Sequence, residues 1–328
     1  MTLSTFRHVL PAVQHASAEF MTITPALLRY PSLTTTVPKE FVHRVAVAEV
    51  LLTDWGRRDA THFSVTAQWP RGHSFFGPVG GTHYDPLMVT ETIRQAGTLL
   101  AHAEFNVPLD HQFVIQDLRV SVRPEHARVG STPAGVEVEV TYTELRQRRI
   151  GHAGSIEAVI FRDGEIVATG SAIYTCTSPA VYKRVRGNRG LCGDRPQLQL
   201  TAPVSPQSVG RMSPMDVVLS PTQDDGRWQL RVDTRHPVLF DHPVDHIPGM
   251  VLIEAARQAT TAVLNRSALL PLRIENTFQH YTELDTPCII EARQVPATMN
   301  EVAVLVTGTQ NGEQVFSSLV TAPAAVFF

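Results

Sequence analysis

The string E-x-x-R-Q-A occurs twice in this chain, at 91–96 and at 254–259. Sliding the sequence by that interval lays HSFFGPVGGTHYDPLMVTETIRQA (73–96) over HPVLFDHPVDHIPGMVLIEAARQA (236–259) without a gap. The identical pairs are His73 with His236, His83 with His246, Glu91 with Glu254, Arg94 with Arg257, Gln95 with Gln258 and Ala96 with Ala259. Self-similarity over such a stretch means two copies of one supersecondary unit, and this constrains the fold more than any other feature of the sequence.

The second copy reads from Ile247 onward as a helix that is apolar nearly all round, opened by Pro248 and Gly249. Each helix is followed by runs with strand alternation, at 112–122, 135–145, 152–162 and 165–176 in the first half and at 273–283, 287–295, 300–309 and 313–322 in the second. The last pair in each half is joined by a tight-turn signal, RDGE at 162–165 and QNGE at 310–313. Shorter strand-like runs precede each helix, so the unit is two strands, one long helix and four strands. A helix with so little polar surface needs cover on most sides, and a curled antiparallel sheet supplies it. The expected class is therefore α+β, a double hot dog. Its parts are an N-terminal arm at 1–39, a first repeat at 40–177, a Pro/Gly/Arg-rich linker without periodicity at 178–209 and a second repeat at 210–328.

Composition narrows the function classes. A formal charge of −3 and a pI near 6.5 provide no basic field for nucleic acid or an anionic membrane. No apolar run approaches the length of a membrane span, and three cysteines (Cys176, Cys192, Cys288) do not make a disulfide framework. A cytoplasmic protein acting on small or individually recognised partners is expected.

The strings VHRVAVAEVLLTDW and HPVLFDHPVDHIPGMVLIEAARQA, with the doubled E-x-x-R-Q-A, resemble the A-factor biosynthesis (AfsA-like) proteins of Streptomyces and relatives over roughly residues 40–325. The resemblance implies an acyltransferase that moves a β-ketoacyl group from acyl carrier protein to a hydroxyl of dihydroxyacetone phosphate, giving the precursor of a γ-butyrolactone or furan signal; separately, the residues lead to the expectation of no cofactor and no metal. PGMVLIEAARQ is also similar to the helix start of hot dog dehydratases, whose catalytic His lies fourteen residues before the Glu. Here those positions are Phe240 and Gly77, so dehydration is disfavoured. A hot dog thioesterase or dehydratase-like enzyme and a non-catalytic acyl-binding protein are the alternatives.

Roles follow from the chemistry of acylating a hydroxyl, which needs a base, an oxyanion donor and a phosphate site. Glu254 is the expected base, on the reasoning that burial raises a carboxyl toward neutrality. Arg257 is the expected fork for phosphate or the β-keto oxygen. Glu91 and Arg94 would face a second, pseudo-equivalent site, and His242 is the alternative base. Substrate-binding candidates are Gln258, Gln95, His246, the helix-start backbone at Gly249 and Met250, and the permissive backbone at Gly80 and Gly81. His236 and Asp241 match H-x-x-x-x-D, a hydroxyl-activating string, though two fixed residues in six carry little information. Asp241, His242, Asp245 and His246 read as loop caps rather than metal ligands. The chain is expected to act as a monomeric pseudo-dimer or a homodimer.

Overall fold

A computed structural model describes residues 2–3, 33–148, 151–187, 189 and 198–325. Most of the expected N-terminal arm and part of the expected linker lie outside the described residues. Besides the two-residue β1 (Thr2–Leu3), the first repeat contains β2 (Leu52–Arg57), β3 (His62–Trp69), α1 (Pro86–Ala103), β4 (Gln112–Val122), β5 (Ala134–Arg148), β6 (Gly151–Arg162) and β7 (Glu165–Thr177). After α2 (Pro179–Arg186), the second contains β8 (Leu219–Pro221), β9 (Arg227–Leu230), α3 (Gly249–Leu264), β10 (Arg273–Phe278), β11 (Ile289–Val295), β12 (Glu301–Gln310) and β13 (Glu313–Pro323). The expected strand–strand–helix–four-strand unit is present twice.

The described strands form one antiparallel sheet of order β2-β3-β5-β6-β7-β4-β10-β13-β12-β11-β9-β8, with β1 paired to β4 off that path. The second half of that order is the first half reversed, with β4 facing β10 across the seam. Register there runs from Arg273↔Ser121 to Thr277↔Asp117. The repeats thus join by pairing the edge strand each would otherwise expose, as a strand edge requires.

Each half wraps its sheet around its helix, and every residue of α1 from Pro86 to His102 is buried. Asp85 starts α1 by accepting from the Leu87 N–H at 2.8 Å, with Pro86 in the first turn. α3 ends at Asn265, whose left-handed φ of 52° closes the last turn. The helix lies so near the sheet that a Cβ on Gly170 would come within 2.5 Å of the Arg119 carbonyl oxygen and of Ile93 Cδ1. Glycine is required there by space.

Two expectations change. The strand expected over 273–283 stops at Phe278, because the chain turns away to form the loop that contacts 245–247. The expected linker contains α2, capped by Ser178 and started by Pro179.

Candidate functional site

Glu91 and Glu254, one turn or more into each apolar helix, lie at the centres of two matching clusters. Glu254 is 0% exposed. Arg257 donates to it from Nε at 2.9 Å and Nη2 at 2.6 Å, Arg211 Nε donates at 2.8 Å, and Gln258 donates from its amide. Arg211 Nη2 is also 2.7 Å from Oε2, without the alignment of a hydrogen bond. Glu91 accepts from Arg94 Nε and Nη2, each at 2.7 Å, from Arg44 Nε at 3.0 Å and from Gln95 at 2.7 Å.

The correspondence extends outward. Gln95 donates to the Glu49 carbonyl and Gln258 to the Asp216 carbonyl. His73 Nδ1 accepts from the N–H groups of Phe75 and Phe76, and His236 Nδ1 from those of Val238 and Leu239. Those bonds place the ring proton on Nε2, which faces Glu49 at 3.4 Å in the first repeat and Asp216 at 3.1 Å in the second. His236 is therefore used in holding a loop, which removes it from the hydroxyl-activating role of H-x-x-x-x-D. Arg44 Nη1 donates to the Val238 carbonyl and Arg211 Nη1 to the Phe75 carbonyl, so each arginine crosses to the other repeat.

This geometry corrects the role expected for Glu254. Burial alone would raise its carboxyl, but the charges and hydrogen bonds of Arg211 and Arg257 outweigh burial and hold it down at about 2. Glu91 is held at about 2 by Arg44 and Arg94 against the same burial effect. A carboxylate this stabilised is a poor proton acceptor at neutral pH. The amides of Gln95 and Gln258 are likewise used up on Glu and backbone, so neither faces a substrate.

The pocket between the repeats opens at the start of α3. His242, Asp241, Gly249, Met250 and Ile253 line it from the second repeat, and His43, Arg44 and Arg94 from the first. Ile115 and Leu118 of β4 and Phe278 of β10 form an apolar wall at the seam. Arg94, expected at a separate second site, thus shares this one with His242, while Glu254 and Arg257 do not line it.

His242 Nδ1 is 3.4 Å from Asp241 Oδ2. Asp241 in turn accepts from the backbone N–H groups of Val45 and Ala46, the latter at 3.0 Å. Burial would raise the Asp241 carboxyl, but the His242 contact, those N–H groups and Arg44 keep it low and ionised. The arrangement orients an imidazole against a fixed carboxylate. Arg44 and Arg94 share the single carboxylate Glu91, and the ionised Asp241 on the same lining balances the charge that remains. At the start of α3, Pro248 provides no side-chain cap, so the Met250 N–H meets no capping carboxylate. At the matching place on α1, Asp85 occupies the Leu87 N–H.

The other expected site residues lie elsewhere. Gly80 and Gly81 have φ of 57° and 72° in an exposed turn bridged by Val79 and His83, away from the pocket lining. His246 is 1% exposed and 2.6 Å from Asp245 Oδ1, with its ring edge-on to Tyr281. Asp241 and Asp245 are committed to different elements, and no group of three candidate metal ligands occurs among the described residues.

Arg44, Arg211 and His43 were missed because the gapless repeat starts too late in each half. VHR…EVLL (42–52) and VGR…DVVL (209–219) form a second matching pair, displaced by four residues relative to the first, and a gapped comparison would have found both arginines.

The profile of the A-factor biosynthesis hotdog domain matches residues 28–178 and 194–322, and the chain belongs to that family. A "2-oxo-3-(phosphooxy)propyl 3-oxoalkanoate synthase" of Streptomyces virginiae is 53% identical over 88% of this chain and 98% of its own length. The protein of that name from Streptomyces griseus is 40% identical over 87% of this chain and 95% of its own. A Lactobacillus plantarum protein described as an oleoyl thioesterase shares 11% identity at a TM-score of 0.51, over 81% of this chain and 97% of its own, which shows the double hot dog fold alone. No helix among the described residues is long and apolar enough to cross a membrane.

Proposed function

We propose that this enzyme is an acyltransferase that makes a 2-oxo-3-(phosphooxy)propyl 3-oxoalkanoate, passing a 3-oxoacyl group from a carrier-protein thioester to the hydroxyl of dihydroxyacetone phosphate. The observation that carries the reading is the pocket at the start of α3, where an oriented imidazole, two arginine side chains and an apolar wall meet.

In this reading His242 Nε2 takes the hydroxyl proton as that oxygen attacks the thioester carbonyl carbon. The oxyanion that forms is held by the uncapped N–H groups of Gly249 and Met250. Collapse of the tetrahedral intermediate breaks the C–S bond, and the imidazolium returns its proton to the departing thiolate. Arg94 and Arg44 attract the phosphate dianion while remaining fixed by Glu91. The acyl chain lies against Ile115, Leu118, Ile253 and Phe278. Glu254 and Arg257 keep a role we assign to architecture, joining the repeats at the other pseudo-equivalent position. Both repeats contribute to one pocket, so a single chain is the catalytic unit.

The test is incubation of the full chain with a 3-oxoacyl-carrier-protein thioester and dihydroxyacetone phosphate, with products identified by mass spectrometry. A phosphorylated ester is the expected product. Free 3-oxo acid alone would point to a thioesterase, an enoyl thioester to a dehydratase, and binding without turnover to an acyl-binding protein.

A further inference from the structure

The segment that follows the first repeat does more than connect. α2 is eight residues long, and its Tyr182 and Arg186 are directed at the loop that contains His242. Tyr182 donates its hydroxyl to Asp245 Oδ1 at 2.7 Å. Arg186 donates from Nε to Asp245 Oδ2 at 3.1 Å and from Nη2 to the Asp245 carbonyl at 3.1 Å. Its Nη1 and Nη2 reach Glu283 at 2.7 and 2.9 Å, and its guanidinium lies 4.1 Å from the centre of the Tyr281 ring. Glu283 is itself fixed, its N–H donating to Gln310 Oε1 of β12 at 2.8 Å.

The loop from 241 to 245 is therefore held at both ends. Asp241 is tied to Val45 and Ala46 of the first repeat, and Asp245 to α2, with His242, Pro243 and Val244 between. In the first repeat's loop the position matching Asp245 is the exposed Thr82, whose carbonyl accepts from the Val129 N–H at 2.8 Å and which has no carboxylate to offer an arginine. The asymmetry coincides with the pocket, which opens beside the second repeat's loop.

Energetics favour a positioning role over a purely stabilising one. Arg186 is 8% exposed, and two carboxylates share it. Desolvating such a group offsets most of its Coulomb gain, so a buried ion cluster adds little net stability compared with apolar packing. Its fixed fork geometry does restrict where the partners can sit.

We propose that Arg186 and Tyr182 are positioning residues for the transfer reaction: by fixing Asp245 they hold the loop on which His242 faces the pocket. The proposal rests on the assignment of His242 as the base.

The experiment compares the wild-type chain with Tyr182→Phe, Arg186→Lys and Arg186→Met. Steady-state kinetics against pH and ¹⁵N-imidazole NMR of His242 are both recorded. Tyr182→Phe and Arg186→Lys should remain folded and lower kcat about 10- to 100-fold, the range expected for slight misplacement of a reacting group. KM for the acyl donor should change less than threefold. The His242 ring signals, single and sharp in the wild type, should broaden or double. Arg186→Met should show the largest effect, and if it fails to fold the other two variants still decide. Unchanged kcat per folded molecule with an unchanged His242 spectrum in Tyr182→Phe and Arg186→Lys would overturn the proposal. A wild-type chain that forms no ester would instead count against the proposed reaction, and the NMR comparison would still report on the loop.

Discussion

The guanidinium of Arg211 lies 4.1 Å from the centre of the Phe75 ring, whereas Arg44, its counterpart in the first repeat, donates to the carbonyl of Val238 and faces a pocket. Val238 stands where Phe75 stands in the other repeat. A large ring over one arginine and a small side chain beside the other help account for a near-symmetric protein with an open site beside α3. Asp85 on one helix start and Pro248 on the other add to the difference, because a carboxylate at the first position occupies the N–H group that the second leaves uncapped.

Replacing Phe75 by Ala should therefore act on stability. The ring is 1% exposed and touches both Arg211 and His236. A loss of about 3–5 kcal/mol is expected on chemical denaturation. Ester formation per folded molecule should stay near wild type, since the pocket beside α3 is untouched.

His242→Gln removes the proposed base and keeps a polar side chain. A fall in kcat of about 10²- to 10⁴-fold is expected, with the melting temperature nearly unchanged. Retention of full activity in the variant would remove His242 from the reaction.

Glu254→Gln should unfold the protein more readily, by about 3–5 kcal/mol, because Arg211 and Arg257 would be left buried without a full counter-charge. The same pair predicts acid sensitivity. Glu91 and Glu254 are held at about 2, below the ordinary carboxyl value of 4.5. A depressed carboxyl stabilises the fold above its unfolded value, and that stability is lost as pH falls from about 4.5 toward 2. Denaturant titrations across that window should show a steep loss in the wild type and a shallower one in Glu254→Gln.

Phe278→Ala should move the preferred acyl chain toward greater length, as the ring closes the seam side of the pocket beside Ile115 and Leu118. Competition among 3-oxoacyl donors of different length, read by mass spectrometry, measures this. An unchanged preference would place the chain terminus elsewhere.

Residues 210–325 expressed alone should not form an active unit. They would expose β10, which pairs with β4 from Arg273 to Thr277, and would lack Arg44 and Arg94. A soluble, active fragment by size-exclusion chromatography and assay would contradict the inter-repeat site.

Much of this protein was determined by sequence alone. The spacing of E-x-x-R-Q-A, the apolar run after Pro248 and the turn signals RDGE and QNGE fix local periodicity, and periodicity is a property of neighbouring residues. They gave two units of the right element order, while the family and the reaction class came from the resemblance of VHRVAVAEVLLTDW and HPVLFDHPVDHIPGMVLIEAARQA to the A-factor biosynthesis proteins. Tertiary structure decided what the charged residues do. A buried Glu beside one Arg reads as a candidate base with a raised carboxyl, but Arg211, forty-three residues upstream of Glu254, supplies a second cation and reverses the shift. Likewise His242 gains its carboxylate partner from the preceding residue, yet that partner is oriented by Val45 and Ala46, nearly two hundred residues away. Coulomb and hydrogen-bond terms depend on distance in space, which the chain sets only when β4 and β10 pair and each repeat's arginine reaches into the other.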